Sequence, residues 1–306
     1  VAKNWEETLR TWKNPPSENE KSKRDRTEGQ IREALQDHDF PAAPEMSVYS
    51  KGSYANNTNV RLDYDVDIAV ECEEFFYSDL VGTPGGVSDK YDLDIVPYSG
   101  GYTVEQFKDD VEAALVASFG RSAIKRGNIA FRVREKKTTL PADVVPCFEY
   151  RRIVSVTHPF DGSYSYEEGH CVIPESGSMI KNYPKAQQKL GTAKNNRTGR
   201  RYKRLVRILK RLENRLSKEG LIEDLPSYFV ECLVYNVPDE YFGHGNYLDD
   251  LRGVLATIYN DTSNKQLCKN WMEVNGIKYL FDSSQSWSYS DAHDFADKAW
   301  NYMGFS

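Results

Sequence analysis

No apolar run in the 306 residues approaches the ~18 that a membrane span requires, so no membrane partner is expected. The stretch from Val1 to Trp12 is charged and carries no signal-peptide core, which makes the cytoplasm the expected compartment. Cysteine is scarce and unpatterned: Cys72, Cys147, Cys171, Cys232 and Cys268 are odd in number and contain no C-x-x-C pair. That excludes a disulfide framework and a structural zinc ribbon, and reads as isolated buried thiols in a reducing compartment. The five histidines lie apart without ligand spacing, so no zinc is expected. What is present in quantity, including 20 Tyr and 5 Trp, excludes global disorder.

The net charge of −6 hides an asymmetry. From Lys194 to Lys218 there are eleven Lys/Arg and a single acid, Glu213, in an otherwise acidic chain. A cationic island of this size is a footprint for something small and anionic; a nucleic-acid groove needs wider coverage, so nucleic acid is not the expected partner. The bland alternative is a solvated helix face.

A length just above 300 residues predicts two lobes, divided at 1–155 and 156–306. In the first, helices are expected at Thr27–Asp37, capped by Thr27, and at Val104–Phe119, closed by Gly120. Strands are expected at Val60–Val70, around Ile129–Val133 and at Leu140–Phe148, and a loop at Gly82–Gly101. The second lobe reads as all helical, with a stripe formed by Leu205, Ile208, Leu209, Leu212 and Leu216. Further helices are expected at Ser227–Val237, Tyr247–Tyr259, Lys265–Val274 and Ser290–Tyr302, with Arg151–Pro184 as the connector. The predicted fold class is α+β.

Chemistry concentrates in Lys51-Gly52-Ser53-Tyr54, the pair Asp65/Asp67, and Asp143. D-x-D pairs are common, and Asp37/Asp39 and Asp92/Asp94 read as surface acids, the latter within a decoy Asp92-Leu-Asp-Ile-Val-Pro97. Asp63/Asp65 overlaps the pair that matters. Asp65 and Asp67 differ because period-two alternation puts both on one strand face beside Val66, Ile68 and Val70. Three carboxylates brought together repel unless they bind cations, and hard oxygen donors suit Mg²⁺ or Mn²⁺. A Gly-Ser turn opening a short helix offers N–H groups and a hydroxyl to a phosphate. Together these parts lay out a nucleoside triphosphate against two metal ions.

Gly52-Ser53, Asp65-x-Asp67 and Asp143 resemble the signature of polymerase β-type nucleotidyltransferases. The whole chain from about Trp12 resembles the CD-NTases (cGAS/DncV-like signal synthases), most closely their clade E (CdnE). The resemblance is carried by Lys51-Gly-Ser-Tyr-Ala-Asn-Asn-Thr-Asn-Val-Arg61, Asp65-Val-Asp-Ile68, Leu140-Pro-Ala-Asp-Val-Val145, Asn182-Tyr-Pro-Lys185, Ala193-Lys-Asn195 and Pro226-Ser-Tyr-Phe-Val-Glu-Cys-Leu-Val-Tyr-Asn-Val-Pro-Asp239. It implies a nucleotidyltransferase palm with a C-terminal helical lobe of oligoadenylate-synthase type and an active site in the cleft between them. It also implies cyclic dinucleotide synthesis with pyrophosphate release, and a product-sensing effector in anti-phage defence.

Carried over by position, Gly52 and Ser53 hold the donor triphosphate, and Asp65, Asp67 and Asp143 bind two Mg²⁺ or Mn²⁺ ions, Asp143 also serving deprotonation of the acceptor hydroxyl. Lys210 matches a triphosphate lysine on the first long helix of the C-terminal lobe. Lys203 shares its flank, off the leucine stripe, and spacing alone does not choose between them. Ser227 matches a phosphate-holding helix start, although it also reads as a plain N-cap after Pro226. Tyr228 matches a base-stacking ring and equally reads as core. Asn182 matches a base-facing asparagine favouring pyrimidines, so UTP and ATP are the expected substrates and cyclic UMP-AMP or a cyclic dipyrimidine the product; the local alternative is an Asn preparing the Tyr-Pro turn. The same site would serve a linear oligonucleotide synthase, and a catalytically silent nucleotide or RNA sensor is the non-enzymatic alternative.

Overall fold

The computed structural model describes residues 4–42, 44–60, 65–158 and 163–305, which divide into two compact units. The first is built on a sheet and comprises the described residues of 17–52 and 64–185. The second is helical and comprises those of 1–16, 53–63 and 186–306. In chain order the elements are α1 (Trp5–Trp12), α2 (Glu18–Gln36), β1 (Met46–Ser50), α3 (Gly52–Ala55), β2 (Val66–Leu80), α4 (Val104–Phe119), β3 (Ile124–Arg126), β4 (Phe131–Val133) and β5 (Ala142–His158). There follow β6 (Ser163–Val172), β7 (Ile180–Asn182), α5 (Pro184–Arg197), α6 (Tyr202–Lys218), α7 (Ser227–Asn236), α8 (Tyr247–Thr262), α9 (Lys265–Cys268) and α10 (Tyr289–Met303).

The sheet runs β1-β2-β5-β4-β3, with β6 on β5 and β7 on β6. Its centre is the parallel pair β2·β5, in which Asp67 lies opposite Asp143. β5 is long enough to serve two neighbours on its other side: β4 pairs with residues from Ala142 to Val144, and β6 with residues from Phe148 onward. Alternation along β2 and β5 sends Ile68 and Val144 to one face and Asp67, Ala69, Asp143 and Val145 to the other.

Local signals explain the two helices of this unit. In α4, Thr103 accepts from Gln106 N (3.2 Å) while the Gln106 side chain accepts from Thr103 N (2.8 Å), and Gly120 ends the helix at φ +86°. α2 begins nine residues before the expected Thr27, because Ser17 and Glu20 form a reciprocal capping box. Thr27 is therefore mid-helix; its hydroxyl donates to Lys23 O (2.8 Å) and accepts from Leu140 N (2.9 Å), tying α2 to the approach to β5.

Three further expectations are corrected. The stretch Arg151–Pro184 is not a connector but continues the sheet through β5, β6 and β7, so the division between units falls after residue 185 rather than 155. The helix expected at Lys265–Val274 stops at Cys268, because the chain from Trp271 pairs instead with Lys278–Leu280: Leu280 N donates to Trp271 O (2.8 Å), Glu273 N donates to Lys278 O (2.9 Å), and Gly276 turns between them at φ +67°. Part of the strand expected at Val60–Val70, together with Asp63, lies outside the described residues; β2 begins at Val66. The Gly82–Gly101 loop holds only two 3-10 turns, and Asp92 sits in one of them, as a decoy would.

The helical unit is organised by α6, whose stripe of Leu205, Ile208, Leu209, Leu212 and Leu216 is fully buried against Phe229, Leu233, Leu251 and Val254. Leu9 of α1 joins this core. Among the described residues, no helix is long and apolar enough to cross a membrane.

Candidate active site

Gly52 adopts φ +68°, a left-handed conformation that glycine enters at little cost. A Cβ there would stand 3.0 Å from the Asp67 carboxyl carbon and closer still to its Oδ2. The backbone is pinned at this point by Lys51 N donating to Asp67 O at 2.9 Å. The Gly-Ser motif and the Asp motif are thus mechanically one feature: the glycine is bare because the aspartate occupies the space.

Asp67 on β2, Asp143 on β5 and Arg132 on β4 form a row across three strands, each directly opposite the next. Arg132 donates to both carboxylate oxygens of Asp65, at 3.0 and 2.9 Å. Asp143 is half-buried, and its carboxyl is pushed above the usual aspartate range, first by burial and then by the neighbouring Asp65; Arg132 and Lys51 pull the other way. Hard oxygen donors from adjacent strands, Asp67 directly opposite Asp143 with Asp65 just ahead of β2, suit divalent cations, and the residues that would hold them are Asp65, Asp67 and Asp143. Arg132 was not anticipated, although Phe131 and Val133 alternating around it placed it on the polar face of a short strand.

Asn182 ends β7 opposite His170 of β6, on the same face as this row. Its side-chain amide has no hydrogen-bond partner among the described residues, so it does not brace the Tyr183-Pro184 turn. Pro184 starts α5 by itself.

In the helical unit, Ser53 O accepts from Thr58 N at 2.9 Å, closing the turn after the Gly-Ser motif. Thr58 then donates to Glu231 Oε2 of α7 at 2.6 Å, and Arg207 of α6 donates to Asn57 O at 2.5 Å. Glu231, only 2% exposed, also accepts from Gln187 (3.3 Å) and pairs with Lys210 (3.4 Å). Lys210 was expected on an accessible flank; it is instead 2% exposed and committed to this buried pair. Lys203, two turns earlier, is half-buried, with its pKa lowered by burial and its amine 3.4 Å from Thr192 Oγ1. The two lysines share one flank of α6 and differ along its axis: Glu231 of α7 packs against the helix at the turn of Lys210.

Ser227 is the first residue of α7; Pro226 holds the cap position and makes no side-chain cap bond, so the N-cap reading of Ser227 is replaced. The Tyr228 hydroxyl donates to Glu273 (3.1 Å) and accepts from Asn275 (3.4 Å), which fixes one edge of a ring that remains partly exposed.

A mixed sheet with carboxylates beside a bare-glycine turn, in a chain that also carries a helical unit, agrees with the nucleotidyltransferase pattern that the motifs resemble. Residues 189–304 match the cGAS/DncV-like nucleotidyltransferase C-terminal helical domain. The chain is 37% identical over 301 residues to a cyclic dipyrimidine nucleotide synthase CdnE of Legionella pneumophila, covering 98% of both chains. It is 36% identical over 303 residues to a cyclic dipurine nucleotide synthase of Elizabethkingia meningoseptica, again covering 98% of both. The solved Rhodothermus marinus CdnE c-UMP-AMP synthase with Apcpp and Upnpp superposes with a TM-score of 0.81 at 32% identity, over 98% of this chain and 97% of that one. The chain belongs to the CD-NTase family and, within it, to the CdnE cyclic dinucleotide synthases.

Proposed function

We propose that this enzyme joins UTP to ATP, or to a second pyrimidine nucleotide, giving cyclic UMP-AMP or a cyclic dipyrimidine. We further propose that the product is a second messenger sensed by an effector protein in anti-phage defence. The observation that carries the base choice is the Asn182 amide, unengaged on the face of the sheet that bears Asp67 and Asp143. Its oxygen can accept from uracil N3–H while its NH₂ donates to O4. Overall identity does not give the base, because relatives named for dipyrimidine and dipurine products are equally similar to this chain.

Ser53 takes the donor triphosphate through its hydroxyl and its helix-start N–H. Asp65, Asp67 and Asp143 hold two Mg²⁺ or Mn²⁺ ions, which when bound supply charge neutralisation for the leaving pyrophosphate and acidify the acceptor hydroxyl. Asp143, half-buried and opposite Asp67, accepts that hydroxyl's proton. Lys203 rather than Lys210 contacts phosphate, since Lys210 is occupied by Glu231. Ser227 presents the start of α7 to phosphate, and Tyr228, held by Glu273 and Asn275, stacks on the donor base.

The test is incubation with all four radiolabelled NTPs and Mg²⁺ or Mn²⁺, followed by phosphatase. A phosphatase-resistant product that requires labelled UTP is expected. Product made only from ATP and GTP overturns the base choice, and phosphatase-sensitive product overturns cyclisation.

A further inference from the structure

The five cysteines and five histidines that looked isolated along the chain do not all stay apart. Cys147 Sγ, a carboxylate oxygen of Glu71 and a ring nitrogen of His170 lie within 4.8 Å of one another. They come from three adjacent strands, β2, β5 and β6, with Glu71 directly opposite Cys147. Alternation puts them on the face that carries Asp67 and Asp143, further along the strands and beneath the apolar group of Ala69, Val145 and Val172. Cys147 is fully buried and His170 is 1% exposed.

Two features point to a ligand here. The His170 imidazole is satisfied on one side only: Nδ1 is 3.0 Å from the Tyr49 hydroxyl, and Nε2 is buried with no hydrogen-bond partner among the described residues. A buried ring nitrogen left unpaired is costly, and a metal on one nitrogen with Tyr49 on the other satisfies both. Secondly, Tyr49 donates to Glu71 Oε2 at 2.5 Å, orienting the carboxylate and leaving its other oxygen as a donor. An outer hydrogen bond to a ligating carboxylate is how metal sites fix their ligands.

We propose that Glu71, Cys147 and His170 form a zinc-type metal centre in the sheet, with Tyr49 orienting its carboxylate. The sulfur–nitrogen–oxygen donor set selects a borderline-soft ion and is unsuited to Mg²⁺, so this centre is distinct from the three aspartates. The surrounding charges are mixed: Lys51 and Lys185 oppose a cation, while Glu149 and Glu168 favour one. Binding releases the Cys147 proton to solvent, and the metal takes its place on the thiolate sulfur. The centre cross-links β2, β5 and β6 where β6 hands its register to β7 through His170 and Asn182.

The full chain is chelated, dialysed against Zn²⁺ with Mg²⁺ in large excess to occupy the aspartates, and its metal content measured. One zinc per chain is expected, falling below roughly one-tenth of that in Cys147→Ser and His170→Gln. Tyr49→Phe is expected to keep the site with affinity weaker by about 10–100-fold. Co²⁺ loaded into the unmutated protein covers the case in which a ligand variant does not fold: a sulfur-to-cobalt charge-transfer band is expected. No zinc retained by the wild type, equal zinc in Cys147→Ser, or bound cobalt without that band each overturns the proposal.

Discussion

Gly52 and Asp67 share one space: the carboxylate of Asp67 lies where a side chain at position 52 would begin. Their contact explains why a positive-φ glycine precedes Ser53, the proposed triphosphate ligand. Gly52→Ala is expected to displace Asp67 and lower synthesis by roughly 10²-fold, while the left-handed strain costs stability of only about 1–2 kcal/mol. Product formation and thermal melting on the same sample check this. Full activity in Gly52→Ala would separate the two motifs.

Asp67→Asn keeps the shape and removes the charge of a proposed metal ligand. Folding should survive, and turnover should fall by about 10³-fold or more with either Mg²⁺ or Mn²⁺. Near-normal synthesis would move the metal role to Asp65 with a neighbour other than Asp67.

The two lysines of α6 should behave oppositely. Lys210→Ala leaves Glu231 buried and short of its cation, so a loss of about 3–5 kcal/mol in stability is expected, read as a lower denaturant midpoint. Lys203→Ala should leave that midpoint nearly unchanged and raise KM for NTP. A stable Lys210→Ala with a raised KM would return the phosphate role to Lys210.

On the proposed base reading, Asn182→Ser loses two hydrogen bonds to a uracil edge, worth about 1–3 kcal/mol of discrimination, and should shift product toward purines. Competition among the four NTPs measures it directly. Unchanged base usage would sink the assignment while leaving the cyclase activity intact.

The sequence determined what depends on neighbours. The Gly52-Ser53 turn, the alternation of β2 around Asp67, the leucine stripe of α6 and the box-capped α4 all follow from periods of 2 or 3.6 residues and from cap chemistry a few residues apart. α2 was read too short because Thr27 looked like a cap, when the stronger reciprocal box lay at Ser17 and Glu20. The tertiary structure decided everything that depends on which strands pair and which helices pack. Arg132 reaches Asp65 only because β4 lies beside β5, and Lys210 is buried only because α7 brings Glu231 to α6. The meeting of Glu71, Cys147 and His170 has the same origin, since strand pairing joins residues that no local spacing relates. Backbone conformation is fixed within a turn or two of chain, whereas side-chain partners are chosen by contacts between distant segments.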